Sequence, residues 1–109
     1  MKAAARRVKH RSHHGLVTIT RHGGGSSGEY RAAVAGSSAI GRLTWTEQGN
    51  VRAAEHTLVP SEIGGRGVAG QLVEALIADA RKHGFRIDPQ CSYVAAAFKR
   101  HPDWADLRA

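Results

Sequence analysis

Cysteine, proline and aromatic residues are scarce in this sequence, and long apolar runs are absent. Its 109 residues include one cysteine, Cys91, so an intramolecular disulfide is excluded and a reducing compartment such as the cytoplasm is expected. No apolar run approaches the roughly 18 residues of a membrane-spanning helix, so we expect no membrane contact. With only two Trp, two Tyr and two Phe, the core must be built largely from Val, Leu, Ile and Ala.

Acidic residues are missing from residues 1–22, which hold six Lys and Arg, whereas residues 23–109 are nearly neutral. The net charge of +7 therefore belongs mostly to the N-terminus. We predict a basic, disordered tail over residues 1–15 and a single domain over residues 16–109. The tail could contact nucleic acid weakly and non-specifically, but no aromatic platform or recognition helix accompanies it.

The histidines near the N-terminus do not predict a metal site. Their spacing is loose, and neither a cysteine nor a carboxylate accompanies them. We therefore expect no metal ligands among His10, His13, His14 and His22.

The order of predicted elements is β-β-β-β-α-β-α. Residues rich in β-branched and apolar types, bounded by glycine and polar turns, predict strands over 16–20, 29–35, 39–46, 51–59 and 85–89. Helical spacing of apolar residues between Val68 and Ala80 predicts the main helix, which ends at Gly84. An Ala-rich stretch predicts a short helix over 93–100. This order predicts an α+β fold, a mostly antiparallel sheet with one β-α-β crossover and a short C-terminal helix.

A glycine-rich turn joins the fourth strand to the main helix. Four glycines surround Arg66 there: Gly64, Gly65, Gly67 and Gly70. Such a turn exposes backbone N–H groups at a helix N-terminus, where the helix dipole adds partial positive charge, so it predicts an anion site that fits a pyrophosphate. The alternative is that the glycines serve only the geometry of the turn. A Walker loop is excluded because no Gly-Lys-Ser/Thr follows.

The turn resembles the acyl-CoA pyrophosphate loop of the GNAT acetyltransferases, Gln/Arg-x-x-Gly-x-Gly/Ala, which falls on residues 64–69. Gly64 departs from this pattern, since Gln or Arg is usual there. The stretch 30–107 is similar to the small stand-alone GNAT-like N-acetyltransferases often called YjdJ-type. Four motifs carry this resemblance: GRLTW at 41–45, HTLVPSE at 56–62 with the turn, PQCSYVAA at 89–96 and RHPDWADL at 100–107.

This resemblance implies a minimal GNAT-like fold in which the fourth and fifth strands splay apart around the pantetheine arm of CoA. It implies acetyl-CoA as co-substrate and an amine as acceptor, either on a protein or peptide or on a small polyamine. The residues expected to contact CoA are Thr57, Leu58 and Val59 of the fourth strand, and Gly64, Gly65, Arg66, Gly67, Val68, Ala69 and Gly70 of the turn.

Cys91 and His56 are the candidate catalytic residues. A thiolate is a strong nucleophile, so Cys91, which lies in the P-x-C motif, could accept the acetyl group; otherwise it is a small buried apolar residue. His56 could act as a general base or lower the pKa of Cys91; otherwise it only fixes its strand through hydrogen bonds. Strand alternation predicts that Glu55 and His56 point to opposite faces, so that only one lines the cleft.

The usual GNAT general acid is missing. Many GNAT enzymes place a tyrosine in the last helix to protonate the leaving thiolate, but here Ala97 and Phe98 occupy that region. Tyr93 is the one tyrosine nearby. This departure keeps open two other functions: a non-catalytic module that binds CoA or acyl-CoA, and a nucleic-acid-associated protein that acts through its tail.

Overall fold

The computed structural model describes residues 11–12 and 15–109. Six strands form one sheet: β1 (Arg11–Ser12), β2 (Gly15–Gly24), β3 (Ser27–Val34), β4 (Ile40–Gln48), β5 (Val51–Leu58) and β6 (Arg86–Pro89). The helices are α1 (Val68–His83), α2 (Ser92–Arg100) and two 3₁₀ helices, Ser61–Ile63 and Pro102–Leu107. Strands neighbouring in the chain are neighbours in the sheet, and each pair is antiparallel except β5–β6. The predicted α+β fold with one β-α-β crossover is confirmed.

The predicted tail, residues 1–15, lies mostly outside the described residues. Within it, β1 pairs with the start of β2, Arg11 opposite Leu16 and Ser12 opposite Gly15. β2 also extends beyond the predicted strand, because Arg21 to Gly24 pair with the first residues of β3. That end of β2 is rich in glycine, which explains why local propensity predicted a turn there.

The core lies on one face of the sheet, where the strands alternate between apolar and polar side chains. On β4, Leu43 and Trp45 are buried, whereas Thr44 and Thr46 point to the other face. Both helices contribute to this single core, α1 through Leu72 and Leu76 among others. Gly41 lets α1 approach the sheet, since a Cβ there would lie 3.0 Å from Val68 Cγ1. An antiparallel sheet with one apolar face buries that face and leaves the other to solvent.

The C-terminal 3₁₀ helix closes the core beside α2. Trp104 and Leu107 are buried. The Trp104 ring meets Phe98 edge-on, with centroids 5.8 Å apart, and stacks on His101 at 3.9 Å. This segment therefore folds back on the core, and the His101 ring packs against Trp104.

The parallel pairing of β5 with β6 is short, and this creates an opening in the sheet. The pairs run from Val51 opposite Arg86 to Ala54 opposite Pro89, and β5 then continues to Leu58 paired with β4 but not with β6. The chain turns away after Pro89, held by a hydrogen bond from the Cys91 N–H to the Ala54 carbonyl, 2.9 Å. The edge of β5 beyond Ala54 is therefore unpaired on the β6 side, as the resemblance implies.

No helix in the part of the chain that the structure describes is long and apolar enough to cross a membrane.

Candidate active site

The glycine turn forms a backbone cradle at the start of α1. Gly65 and Gly67 have positive φ angles of 72° and 73°, a conformation that glycine adopts at little cost. Gly67 is the N-cap of α1, no side chain caps the helix, and its first turn holds no acidic residue. The Gln71 N–H already bonds the Gly67 carbonyl at 3.1 Å. The N–H groups of residues 68–70 precede it and have no intrahelical acceptor, so they are available to an anion.

This cradle has the room and the charge for a phosphate group. A Cβ added at Gly65 or Gly67 would meet no atom within 4 Å, so the surface above the turn is open. Arg66 is half-buried. None of the ion pairs among residues 16–109 engages its guanidinium, which leaves a cation beside the exposed N–H groups. These residues therefore fit the pyrophosphate of CoA.

A β-bulge shapes β5 where it passes the opening. Thr44 lies opposite His56 while Trp45 lies opposite Ala54, so Glu55 is an extra residue in the ladder. Glu55 accepts a hydrogen bond from Thr46 Oγ1 at 2.8 Å, on the face of the sheet turned away from the helices. His56 is on that face as well, because it pairs with Thr44.

The opening contains a groove of about 470 Å³. Its lining comes from the unpaired end of β5 and the loop after β6: Glu55, His56, Thr57, Leu58, Gln90, Cys91 and Ser92. Both predicted catalytic residues, Cys91 and His56, therefore line one groove. The prediction that only one of Glu55 and His56 could do so is wrong, because the bulge interrupts the alternation on which it rested.

The residues predicted to contact CoA fall into two groups in space. Thr57 and Leu58 line the groove, and Leu58 is 64% exposed, the only large apolar side chain so exposed among residues 16–109. Val59 is outside the groove lining and is half-buried against the core. The residues of the glycine turn lie outside the groove lining, at the start of α1. One elongated ligand would have to span the two groups, as CoA is able to do.

Cys91 occupies the N-cap position of α2. Its Sγ donates a hydrogen bond to Thr57 Oγ1 at 3.3 Å. Burial raises the pKa of the Cys91 thiol, but the Thr57 hydroxyl and the backbone N–H groups of Val94, Tyr93 and Thr57 outweigh it, so the pKa is held below its ordinary value. The groove thus holds a partly accessible thiol in surroundings that favour the thiolate.

The sequence predicted that His56 could lower the pKa of Cys91. The helix N-terminus contributes, whereas His56, which is exposed, is not among the groups that act on the thiol. The side chain that lowers the pKa of the Cys91 thiol is that of Thr57, which we expected only to contact CoA. Thr57 is 34 residues from Cys91 in the chain, and the bulge decides on which face of β5 its side chain lies. No local sequence signal therefore indicated this contact.

The first turns of α1 and α2 lie side by side. A Cβ on Gly70 would be 3.8 Å from the Tyr93 hydroxyl, so Tyr93 lies against the glycine turn. At the position of the usual GNAT tyrosine, Ala97 and Phe98 are buried in the core. Tyr93 is therefore the phenolic hydroxyl near the site, but it lies beside the expected position of the pyrophosphate.

No group of three or more His, Cys, Asp or Glu side chains within residues 16–109 is arranged to hold a metal ion. Of the four N-terminal histidines, for which no metal site was expected, His10, His13 and His14 lie outside the described residues. The fourth, His22, is described, and its Nε2 lies 2.7 Å from Thr20 Oγ1.

The family model of the GCN5-related N-acetyltransferases matches residues 29–107 of this chain. The match covers more than two thirds of the sequence and includes the splayed strands, the glycine turn, the groove and the C-terminal 3₁₀ helix. With this match and the geometry above, the chain belongs to the GCN5-related N-acetyltransferase family.

Proposed function

We propose that this protein transfers an acetyl group from acetyl-CoA to an amine on a protein, a peptide or a small polyamine, with Cys91 as an intermediate acceptor. Members of this family typically use acetyl-CoA. The observation that carries the proposal is the thiol of Cys91, which lines the groove in the opening beside the unpaired edge of β5. A reaction that needs a free thiol fits a reducing compartment, and we place it in the cytoplasm.

Three features of the chain would hold the co-substrate. The N–H groups at the start of α1 and the Arg66 guanidinium would bind the pyrophosphate. The unpaired edge of β5 over residues 57–59 would bond the amide groups of the pantetheine arm. These contacts would place the thioester in the groove lined by Cys91.

Acetyl-CoA supplies an activated acetyl thioester. The Cys91 thiolate would attack its carbonyl carbon, forming an S–C bond while the bond to the CoA sulfur breaks and CoA leaves as a thiolate. The acceptor amine would then attack acetyl-Cys91, forming the C–N bond and releasing the Cys91 thiolate. His56, exposed at the same groove, would take the proton from the amine.

The experiment that tests this proposal is intact-mass spectrometry after incubation with acetyl-CoA. The wild type should gain one acetyl group at neutral pH, and addition of an amine such as spermidine or a lysine peptide should discharge it. Cys91→Ser, which preserves side-chain size, should gain none. His56→Gln should still be acetylated but should discharge more slowly, because only the second step uses the imidazole.

Two results would contradict the proposal in different ways. Turnover by Cys91→Ser within a few-fold of wild type would mean that the amine attacks the thioester directly. An absence of both adduct and turnover, with CoA still bound, would favour a non-catalytic CoA-binding module. That alternative is supported by the buried Ala97 and Phe98, which leave no proton donor at the usual position.

A further inference from the structure

We propose that Thr57 is a positioning residue that holds the Cys91 sulfur in one orientation at the groove; this inference rests on the proposed function of Cys91. The two side chains come from elements that separate at the opening, β5 and the start of α2. Their hydrogen bond, Sγ to Oγ1 at 3.3 Å, crosses the gap between these elements.

The Cys91 backbone is fixed independently of its side chain. Its N–H bonds the Ala54 carbonyl at 2.9 Å, and its carbonyl accepts the Ala95 N–H at 3.0 Å. The main chain of Cys91 is thus tied to β5 on one side and to α2 on the other. The remaining freedom is rotation about the Cα–Cβ bond, and the bond to Thr57 favours one rotamer together with the N–H groups at the start of α2.

A hydroxyl can position the Cys91 sulfur because it forms a hydrogen bond with both the thiol and the thiolate. The Thr57 oxygen accepts a bond from the thiol, and after ionisation the same hydroxyl can rotate and donate to the thiolate. A hydrogen bond to a charged group is stronger than one between neutral groups, so Thr57 favours the ionised form. The same donor would stabilise Cys91 again when it leaves as a thiolate from acetyl-Cys91.

The β-bulge is what makes this contact possible. Thr57 lies opposite Leu43, a buried residue on the helix side of the sheet, although Ala54 lies on that side too. In a regular strand, residues three apart face opposite sides, so the extra residue Glu55 is needed to turn Thr57 toward α2. The bulge therefore exposes His56 on one face of β5 and delivers the Thr57 hydroxyl to Cys91 on the other.

Thr57→Val tests the inference, with Thr57→Ser as the matched control. Valine preserves the branched shape that suits a strand but has no hydroxyl, whereas serine restores the hydroxyl. Because Cys91 is the only cysteine, iodoacetamide alkylation followed by intact mass reports its ionisation alone. Alkylation rates measured from about pH 5 to about pH 10 rise to a plateau as the thiol ionises, and the pH at half of the plateau is the midpoint. We expect this midpoint to be about one pH unit higher in Thr57→Val than in the wild type, and close to the wild type in Thr57→Ser.

Acetylation by acetyl-CoA should fall several-fold in Thr57→Val at neutral pH and recover in Thr57→Ser. An unchanged alkylation midpoint in Thr57→Val would overturn the inference, and so would a raised midpoint that serine does not restore. Thermal melts establish that each variant is folded, and Thr57→Ala replaces Thr57→Val if valine disturbs the strand. A raised midpoint together with normal turnover by Cys91→Ser would refute the covalent route and leave the positioning role intact.

Discussion

At the scale of single residues, the side chain with the most hydrogen bonds in the described part of the chain lies away from the groove. Asp79 of α1 is 9% exposed, the one buried charged residue among residues 16–109. It accepts two bonds from the Arg21 guanidinium, at 2.9 and 3.0 Å, and one from the Tyr30 hydroxyl at 2.8 Å. Arg52 donates to the same hydroxyl at 3.0 Å. This network ties α1 to three strands, so its role is in stability.

Asp79→Ala should destabilise the fold by about 2 kcal/mol, because it removes the acceptor of the buried Tyr30 hydroxyl and the partner of Arg21. Urea unfolding at neutral pH measures the change. Arg21→Gln should cost less, about 1 kcal/mol or below, since the Arg21 side chain is 53% exposed. Equal costs for the two variants would mean that the Tyr30 bond contributes little.

The same carboxylate predicts a dependence on pH. Burial raises the pKa of Asp79, but the hydrogen bonds from Arg21 and Tyr30 outweigh it and hold the pKa below its ordinary value. A carboxylate with a depressed folded pKa stabilises the fold fully above its unfolded pKa of about 4, and this contribution is lost as the pH falls through the folded value. The difference in unfolding free energy between wild type and Asp79→Asn should therefore shrink below about pH 4. A constant difference down to pH values near 2 would contradict this assignment.

At the scale of elements, the sequence predicted each strand and helix that forms the candidate site. Alternation and turn residues predicted β4 and β5, and helical spacing with Gly84 predicted α1. Gly84 does end α1 in the left-handed conformation, with φ 76°. The bulge at Glu55 could not be predicted, because it arises from pairing with β4 and not from local propensity. The Thr57–Cys91 bond follows from that bulge, so the sequence found the catalytic candidates but missed their geometry.

The glycine turn gives a prediction at the same scale. Gly67→Ala should weaken CoA binding at least tenfold, because strain at φ 73° shifts the N–H groups that would hold the pyrophosphate. The same strain should cost about 1 kcal/mol of stability. Isothermal titration with CoA measures the affinity, and thermal melts measure the stability.

Gly49→Ala is the matched control for the turn. Gly49 lies in the β4–β5 hairpin with a φ of 61°, and a Cβ there would also meet no atom within 4 Å. Its substitution should bring a similar loss of stability with unchanged affinity for CoA. If both variants lost affinity equally, the effect would come from general destabilisation and the pyrophosphate would have to bind elsewhere.

At the scale of the whole molecule, the basic residues at the N-terminus are separate in sequence from the residues of the candidate active site. Residues 1–10 contain Lys2, Arg6, Arg7 and Lys9 and no acid, whereas the groove and the glycine turn belong to residues 23–109, which are nearly neutral. We infer that any affinity for nucleic acid comes from the tail alone. A truncation that is meant to leave the fold unchanged should end before β1, because Arg11 and Ser12 pair with β2.

Removal of residues 1–10 should therefore leave the melting temperature and the CoA affinity unchanged while weakening binding to duplex DNA. Four fewer phosphate contacts should reduce the slope of log affinity against log salt by about 3 to 4. Removal of residues 1–14 also deletes β1, so comparing the two truncations isolates the contribution of that pairing to stability. Fluorescence anisotropy with labelled DNA at several salt concentrations gives the slope. An unchanged slope after removal of residues 1–10 would place the DNA contact on the folded domain, where Arg31, Arg42 and Arg86 lie on the face of the sheet turned away from the helices.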